Sequence, residues 1–179
     1  MDIQENIKSI LDSIEIDDRL LDTPQRVDSA LNEFFNGYDA DINKILSVRY
    51  PSEIDDLIIL KQIPFESHCE HHMVPIVGCA SIGYIPNGMI VGASKLARLV
   101  DAFAHRLQLQ ERMTMQIANA LHSALKCKGV AVLIEGEHFC ISHRGVKKHN
   151  TRFVTRYFTG CLKSNYDLRR EFLDSCQSD

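Results

Sequence analysis

No stretch of this 179-residue chain is apolar for long enough to span a bilayer, and Met1-Asp2-Ile3-Gln4-Glu5 is not a secretory signal. A membrane protein is therefore excluded on this reading, and a cytoplasmic location is expected. A surplus of basic charge is missing too: 20 Lys and Arg stand against 24 Asp and Glu, a net charge of −4. No basic face dominates, so nucleic acid is not the expected partner. Repeats, low-complexity runs and a linker long enough to divide the chain are also absent. With 45% hydrophobic residues the expectation is one domain with a real core, divided into a helical segment over 1–50 and a catalytic region over 51–179.

Six cysteines in a cytosolic chain do not make a disulfide framework. Cys79, Cys127, Cys161 and Cys176 lie scattered in apolar patterns and read as small core or surface thiols. Cys69 and Cys140 differ, because each has a histidine close by in Ser67-His68-Cys69-Glu70-His71-His72 and Glu137-His138-Phe139-Cys140. Cys69, Cys140 and one of His71 or His72 suffice to hold one zinc ion through three protein ligands. A fourth tetrahedral position would then stay open for water, as in a catalytic rather than a structural site. A tight turn would pair Cys69 with His72, and an extended strand would pair it with His71. Local basic residues, Lys95 with Arg98 and Arg144 through Lys148, suit a small anionic ligand.

The first fifty residues read as helical. Ile3, Ile7, Ile10, Leu11 and Ile14 recur at spacings of three and four, and Thr23-Pro24 opens a second helix that Gly37 stops. Strands are predicted at Leu57–Leu60 and at Met73–Ile85, the latter ending in the turn Pro86-Asn87-Gly88. Ser94 is expected to cap a helix from Lys95 to about Leu107, and a second helix runs from about Gln110 to Lys126, closing at Gly129. Val130–Ile134 restarts strand and leads into His138 and Cys140. Gly145–Asn150 then connects to a last strand over Arg152–Thr159, and Asn165 or Asp167 begins a terminal helix. The fold class is α+β: an antiparallel β-β-α-α-β-β sheet with helices on one face, preceded by N-terminal helices. Its open edges favour oligomerisation.

Six segments taken in order resemble the GTP cyclohydrolase I family. They are Thr23-Pro24-Gln25-Arg26, Cys69 through Pro75, Gly83-Tyr84-Ile85-Pro86, Ser94 through Arg98, Gln108 through Arg112, and His138-Phe139-Cys140 leading to Arg144-Gly145-Val146. The resemblance implies a tunnelling fold and a homodecamer of two face-to-face pentamers with active sites between neighbouring subunits. It implies hydrolysis and rearrangement of GTP to 7,8-dihydroneopterin triphosphate and formate, with zinc on Cys69, His72 and Cys140. His138 is the expected proton donor to the purine ring nitrogen, and His71 the proton shuttle on the water side, since imidazole gives and takes protons near neutrality. Glu111 is expected to pair with the guanine edge and Gln110 to contact the same region or the ribose. Ser94, Lys95, Arg98, Arg144 and Arg26 would hold the triphosphate. The chain departs from the family at Ser29 and Cys79, where lysine is common, and in the bulky Arg152, Phe153, Arg156, Tyr157 and Phe158 of the last strand.

Overall fold

A computed structural model describes residues 2–14 and 20–177; the part of the predicted helical N-terminal segment at 15–19 lies outside the described residues. Two amphipathic helices come first, α1 (Ile3–Ile14) and α2 (Thr23–Phe34), tied by a 3.0 Å bond from Gln4 Nε2 to Asp28 Oδ2. Asp22, not Thr23, occupies the cap position of α2, with Pro24 in the first turn where its missing N–H costs nothing. Gly37 does not end this helix. It sits in a 3₁₀ turn (Asn36–Asp39), where a Cβ would lie 2.6 Å from the His105 carbonyl oxygen, so its role is close approach. A short α3 (Ile42–Ile45) and the strand β1 (Arg49–Pro51) follow.

The core sheet is built from β2 (Ile58–Cys69), β3 (Pro75–Ile85), β6 (Gly129–His138) and β7 (Phe153–Thr159), all antiparallel, with the two-residue β5 (Leu107–Gln108) added parallel to the end of β2. The order is β5-β2-β3-β6-β7, and β4 (Met89–Val91) pairs with β1 apart from it. Between β4 and β6 lie α4 (Ala93–Ala104) and α5 (Gln110–Leu125), so the predicted β-β-α-α-β-β order is present. Strand β2 is three times longer than its predicted apolar run, because a bulge at Lys61–Gln62, with Gln62 at φ 57°, changes which parity faces inward. Ile58 and Leu60 face the core before the bulge, and Ile63, Phe65 and Cys69 after it.

Helices α4 and α5 cover one face of the sheet, and Leu96, Leu99, Val100, Met113, Ile117 and Leu121 are buried there against Ile76, Ala80, Ile82, Val130, Val132 and Ile134. Ser94 lies inside α4, whose cap position is Gly92. Helix α5 closes on Lys126 in the left-handed conformation, not on Gly129, which begins β6. The short α6 (Phe139–Ser142) links β6 to β7, and α7 (Gly160–Ser164) and α8 (Tyr166–Gln177) follow β7. Asn165 Oδ1 accepts from the N–H groups of Asp167 and Leu168, capping α8 as expected. Phe172 of α8 reaches the opposite face of the sheet, where it is fully buried with Ile85, Ala131 and Leu162 as a second, smaller core. No helix among the described residues is long and apolar enough to cross a membrane.

Candidate active site

The register of the sheet brings the two cysteine segments together. Strand β2 ends at Cys69, and the turn to β3 begins there: Met73 N–H donates to Cys69 O at 2.8 Å and Cys69 N–H to Val74 O at 2.9 Å. Met73 takes a φ of 55° to close it. A turn, not an extended strand, therefore follows Cys69, and His72 folds back so that its Nδ1 lies 3.5 Å from Cys69 Sγ. His138 pairs with Ile76 at the adjoining end of β6. The chain then makes the single helical turn α6 instead of continuing as strand, and this turn carries Cys140 to the same point. One ligand atom from each of Cys69, His72 and Cys140 lies within 4.8 Å of the other two.

Burial, and secondarily the Cys69 sulfur beside it, raises the Cys140 thiol above its ordinary range. Two sulfurs with an imidazole in reach form a soft and borderline donor set of the kind that suits zinc. The other cysteines behave as packing residues: Cys127 is buried and its thiol is pushed up to about 11, chiefly by desolvation.

The parallel pairing of Cys69 with Gln108 sets the first turn of α5 beside the cluster. Arg112 reinforces it through an ion pair to Glu70, a residue of the turn that follows Cys69, and through a bond to the Leu107 carbonyl. A cleft of about 170 Å³ results, lined by Cys69, His71, Glu111, His138, Cys140 and Phe153 among others. His138 is half-buried, and desolvation lowers its pKa while the nearby Glu111 carboxylate works in the opposite sense. Gln110 also borders the cleft, and its side chain is fully buried and hydrogen-bonded to the fold. Phe153, noted in the sequence only as bulky, stands edge-on to the His138 ring at 5.2 Å. Glu70 and Arg112 carried no signal of their own beyond belonging to the motif segments.

The anion-binding candidates are dispersed. Arg144 is exposed shortly after α6. Ser94 and Lys95 begin α4 directly after β4, near the Ile85 end of β3, whereas the cluster lies at the Pro75 end. Eleven residues of β3 separate these ends, roughly 33 Å at about 3.3 Å per residue. Arg98 is exposed one turn further along α4, and Arg26 is exposed on α2 in a 3.3 Å ion pair with Asp22.

The GTP cyclohydrolase I family model matches residues 3–177. The chain belongs to the GTP cyclohydrolase I family. It is 49% identical over 156 residues to GTP cyclohydrolase 1 of Pelagibacter ubique, covering 86% of this chain and 77% of that one. It is 50% identical over 156 residues to the Sinorhizobium fredii protein of the same name, covering 86% and 76%. Among solved structures it is similar to an archaeosine synthase QueF-Like in the apo form, with a TM-score of 0.49 and 19% identity over 58% of this chain and 93% of that one. Membership makes the chain an enzyme of this family, and Cys69, His72 and Cys140 form a group that could hold a metal ion.

Proposed function

We propose that this enzyme opens the five-membered ring of GTP, releases formate and forms 7,8-dihydroneopterin triphosphate in the cytoplasm, as a zinc-dependent homodecamer. The observation that carries the reading is the convergence, in one cleft, of a Cys-His-Cys ligand set with His138 and Glu111. Zinc on Cys69, His72 and Cys140 would supply Lewis acidity that brings bound water to a pKa of about 7.

The remaining chemistry belongs to the side chains. Glu111 is exposed in the first turn of α5 and lines the cleft, so both carboxylate oxygens are free to accept from the ring N–H and exocyclic amine of guanine. Adenine offers no such pair of donors, and the contact selects guanine. His138 delivers a proton to the ring nitrogen next to the attacked carbon, so that negative charge does not accumulate on the heterocycle. His71, exposed on the metal turn and on the cleft wall, moves protons on the water side. Arg144 approaches the triphosphate from beyond α6 with a fork suited to phosphate oxygens.

Ser94, Lys95 and Arg98 complete phosphate binding from a neighbouring copy. The separation of the α4 N-terminus from the cluster within one chain supports this, as do the open edges of β5 and β7. Arg26 joins the clamp in the same way. In this reading residues 51–179 carry the catalytic fold and the N-terminal segment packs upon it.

Incubation with GTP, read as formate release and pterin fluorescence beside metal content, tests the proposal. His138→Ala should retain metal and lose most turnover, and Cys140→Ala should lose both. Absence of turnover with one zinc per chain would instead mark a structural metal on the same fold.

A further inference from the structure

Gln110 brings a complete amide into the interior with no exposed surface. Its Nε2 donates to the carbonyl oxygens of Ile134 at 3.1 Å and Phe153 at 2.9 Å, and to Thr155 Oγ1 at 3.0 Å. Carbonyl oxygens only accept, so this end of the amide must be the nitrogen. The hydroxyls agree. Thr114 Oγ1 gives its one proton to the Gln110 backbone carbonyl at 2.6 Å, so the 2.7 Å contact between Thr114 and Thr155 carries the Thr155 proton. Thr155 Oγ1 is then left as an acceptor for Nε2. Two N–H groups are shared among these three acceptors, only this amide orientation supplies them, and it turns Oε1 toward His138 Nε2 at 2.9 Å. Gly136 makes room for that contact, because a Cβ there would fall 2.7 Å from Oε1.

An amide oxygen donates nothing, so the proton in this bond resides on the imidazole. We propose that Gln110 is a positioning residue that holds His138 with its hydrogen on Nε2, leaving Nδ1 as the atom that exchanges a proton with the substrate's ring nitrogen. No hydrogen bond among the described residues engages Nδ1. Among the described residues the one sealed side-chain polar atom without a partner is His68 Nδ1, so His138 Nδ1 is open to solvent or a ligand. Phe153 adds a second restraint: its carbonyl anchors the amide and its ring stands perpendicular to the imidazole at 5.2 Å.

In the forward step the Nδ1–H bond of the imidazolium breaks, its electron pair stays on Nδ1, and the proton joins the lone pair of the substrate nitrogen. The logic is that of any catalytic base oriented by a third group. The identity of the proton acceptor rests on the ring-opening reading above; the tautomer does not.

Neutron diffraction from the metal-loaded protein, exchanged into heavy water at alkaline pH, should show deuterium on His138 Nε2 and none on Nδ1. Deuterium on Nδ1 alone would overturn the assignment. In kinetics, Gln110→Leu should lower kcat on the order of 10²-fold, toward the low end of what general acid–base catalysis contributes, with KM for GTP and metal content retained. Should Gln110→Leu fail to fold, Gly136→Ala displaces Oε1 from the opposite side and should divide kcat from KM in the same way. A raised KM at unchanged kcat in either variant would make Gln110 a substrate contact and sink the proposal. A correct tautomer in a protein that releases no formate would refute the ring-opening reading and leave the positioning role standing.

Discussion

Metal binding at the Cys69–His72–Cys140 cluster should depend steeply on pH, and the steepness follows from the donor atoms. A thiolate, not a thiol, ligates the ion, so each cysteine ligand gives up a proton as it binds. Cys140 meets that requirement from well inside its protonated range, because burial and the adjacent Cys69 sulfur hold its pKa above the ordinary value. Release of one proton changes the apparent affinity about tenfold per pH unit, which is about 1.36 kcal/mol. The Cys140 thiol by itself therefore gives about that slope, with binding tighter as pH rises. Competition against a chromophoric chelator near neutral pH measures this slope, and calorimetry in two buffers of different ionisation enthalpy counts the protons. Cys140→Ser should lose this contribution to the slope while weakening binding, since its hydroxyl is not ionised there. A wild-type slope shallower than about threefold per unit would mean that the Cys140 thiol gives up no proton on binding, and Cys140 would have to be removed from the metal site.

Other consequences concern substrate, packing and acid. Arg144→Ala should raise KM for GTP by about tenfold, the lower end for a charged hydrogen bond at an exposed position, and leave guanosine nearly unaffected; equal effects on both would remove Arg144 from the clamp. Gly83→Ala sets a methyl 2.6 Å from the Phe172 ring and should lower unfolding free energy by about 1–3 kcal/mol in urea titrations, and Phe172→Ala by about 3–5 kcal/mol. The double variant should cost less than the sum of the two, because the new methyl occupies part of the vacated space; simple additivity would contradict the contact. His68 is buried between the rings of Phe34 and Phe35, and desolvation lowers its pKa below 6.5. The unfolded chain therefore binds the proton more readily, so stability should decline as pH falls through about 6.5. A urea midpoint in His68→Leu that declines as strongly as wild type over this range would exclude His68 as a source.

The periodic elements were legible in sequence order because their apolar residues are local. Leu96, Leu99, Val100 and Met113, Ile117, Leu121 declare two helices wherever they fall, and both helices are buried along those stripes. Strand β2 was legible only in its first residues, since the bulge at Lys61–Gln62 breaks the alternation on which the reading depends. The caps assigned to Thr23 and Ser94 failed for a related reason. A hydroxyl before an apolar stripe marks a helix start only to within a residue or two, and neither residue occupies the cap position.

The chain by itself determined the chemistry on offer: two cysteines with neighbouring histidines, a carboxylate at the start of a helix, and basic residues spaced along others. It also determined the family, whose motifs stand in order from Thr23 to Arg144. Tertiary structure alone decided which of these meet. The family pattern already favoured His72, but it is the turn after Cys69 that carries its ring to the sulfur, and a helical turn after His138 that brings Cys140 within reach. Gln110 is held internally because the closing of β7 over α5 surrounds its amide with fixed carbonyls. The reason is physical: composition and spacing set what each side chain can do, but distances between segments some seventy residues apart are settled only by strand register.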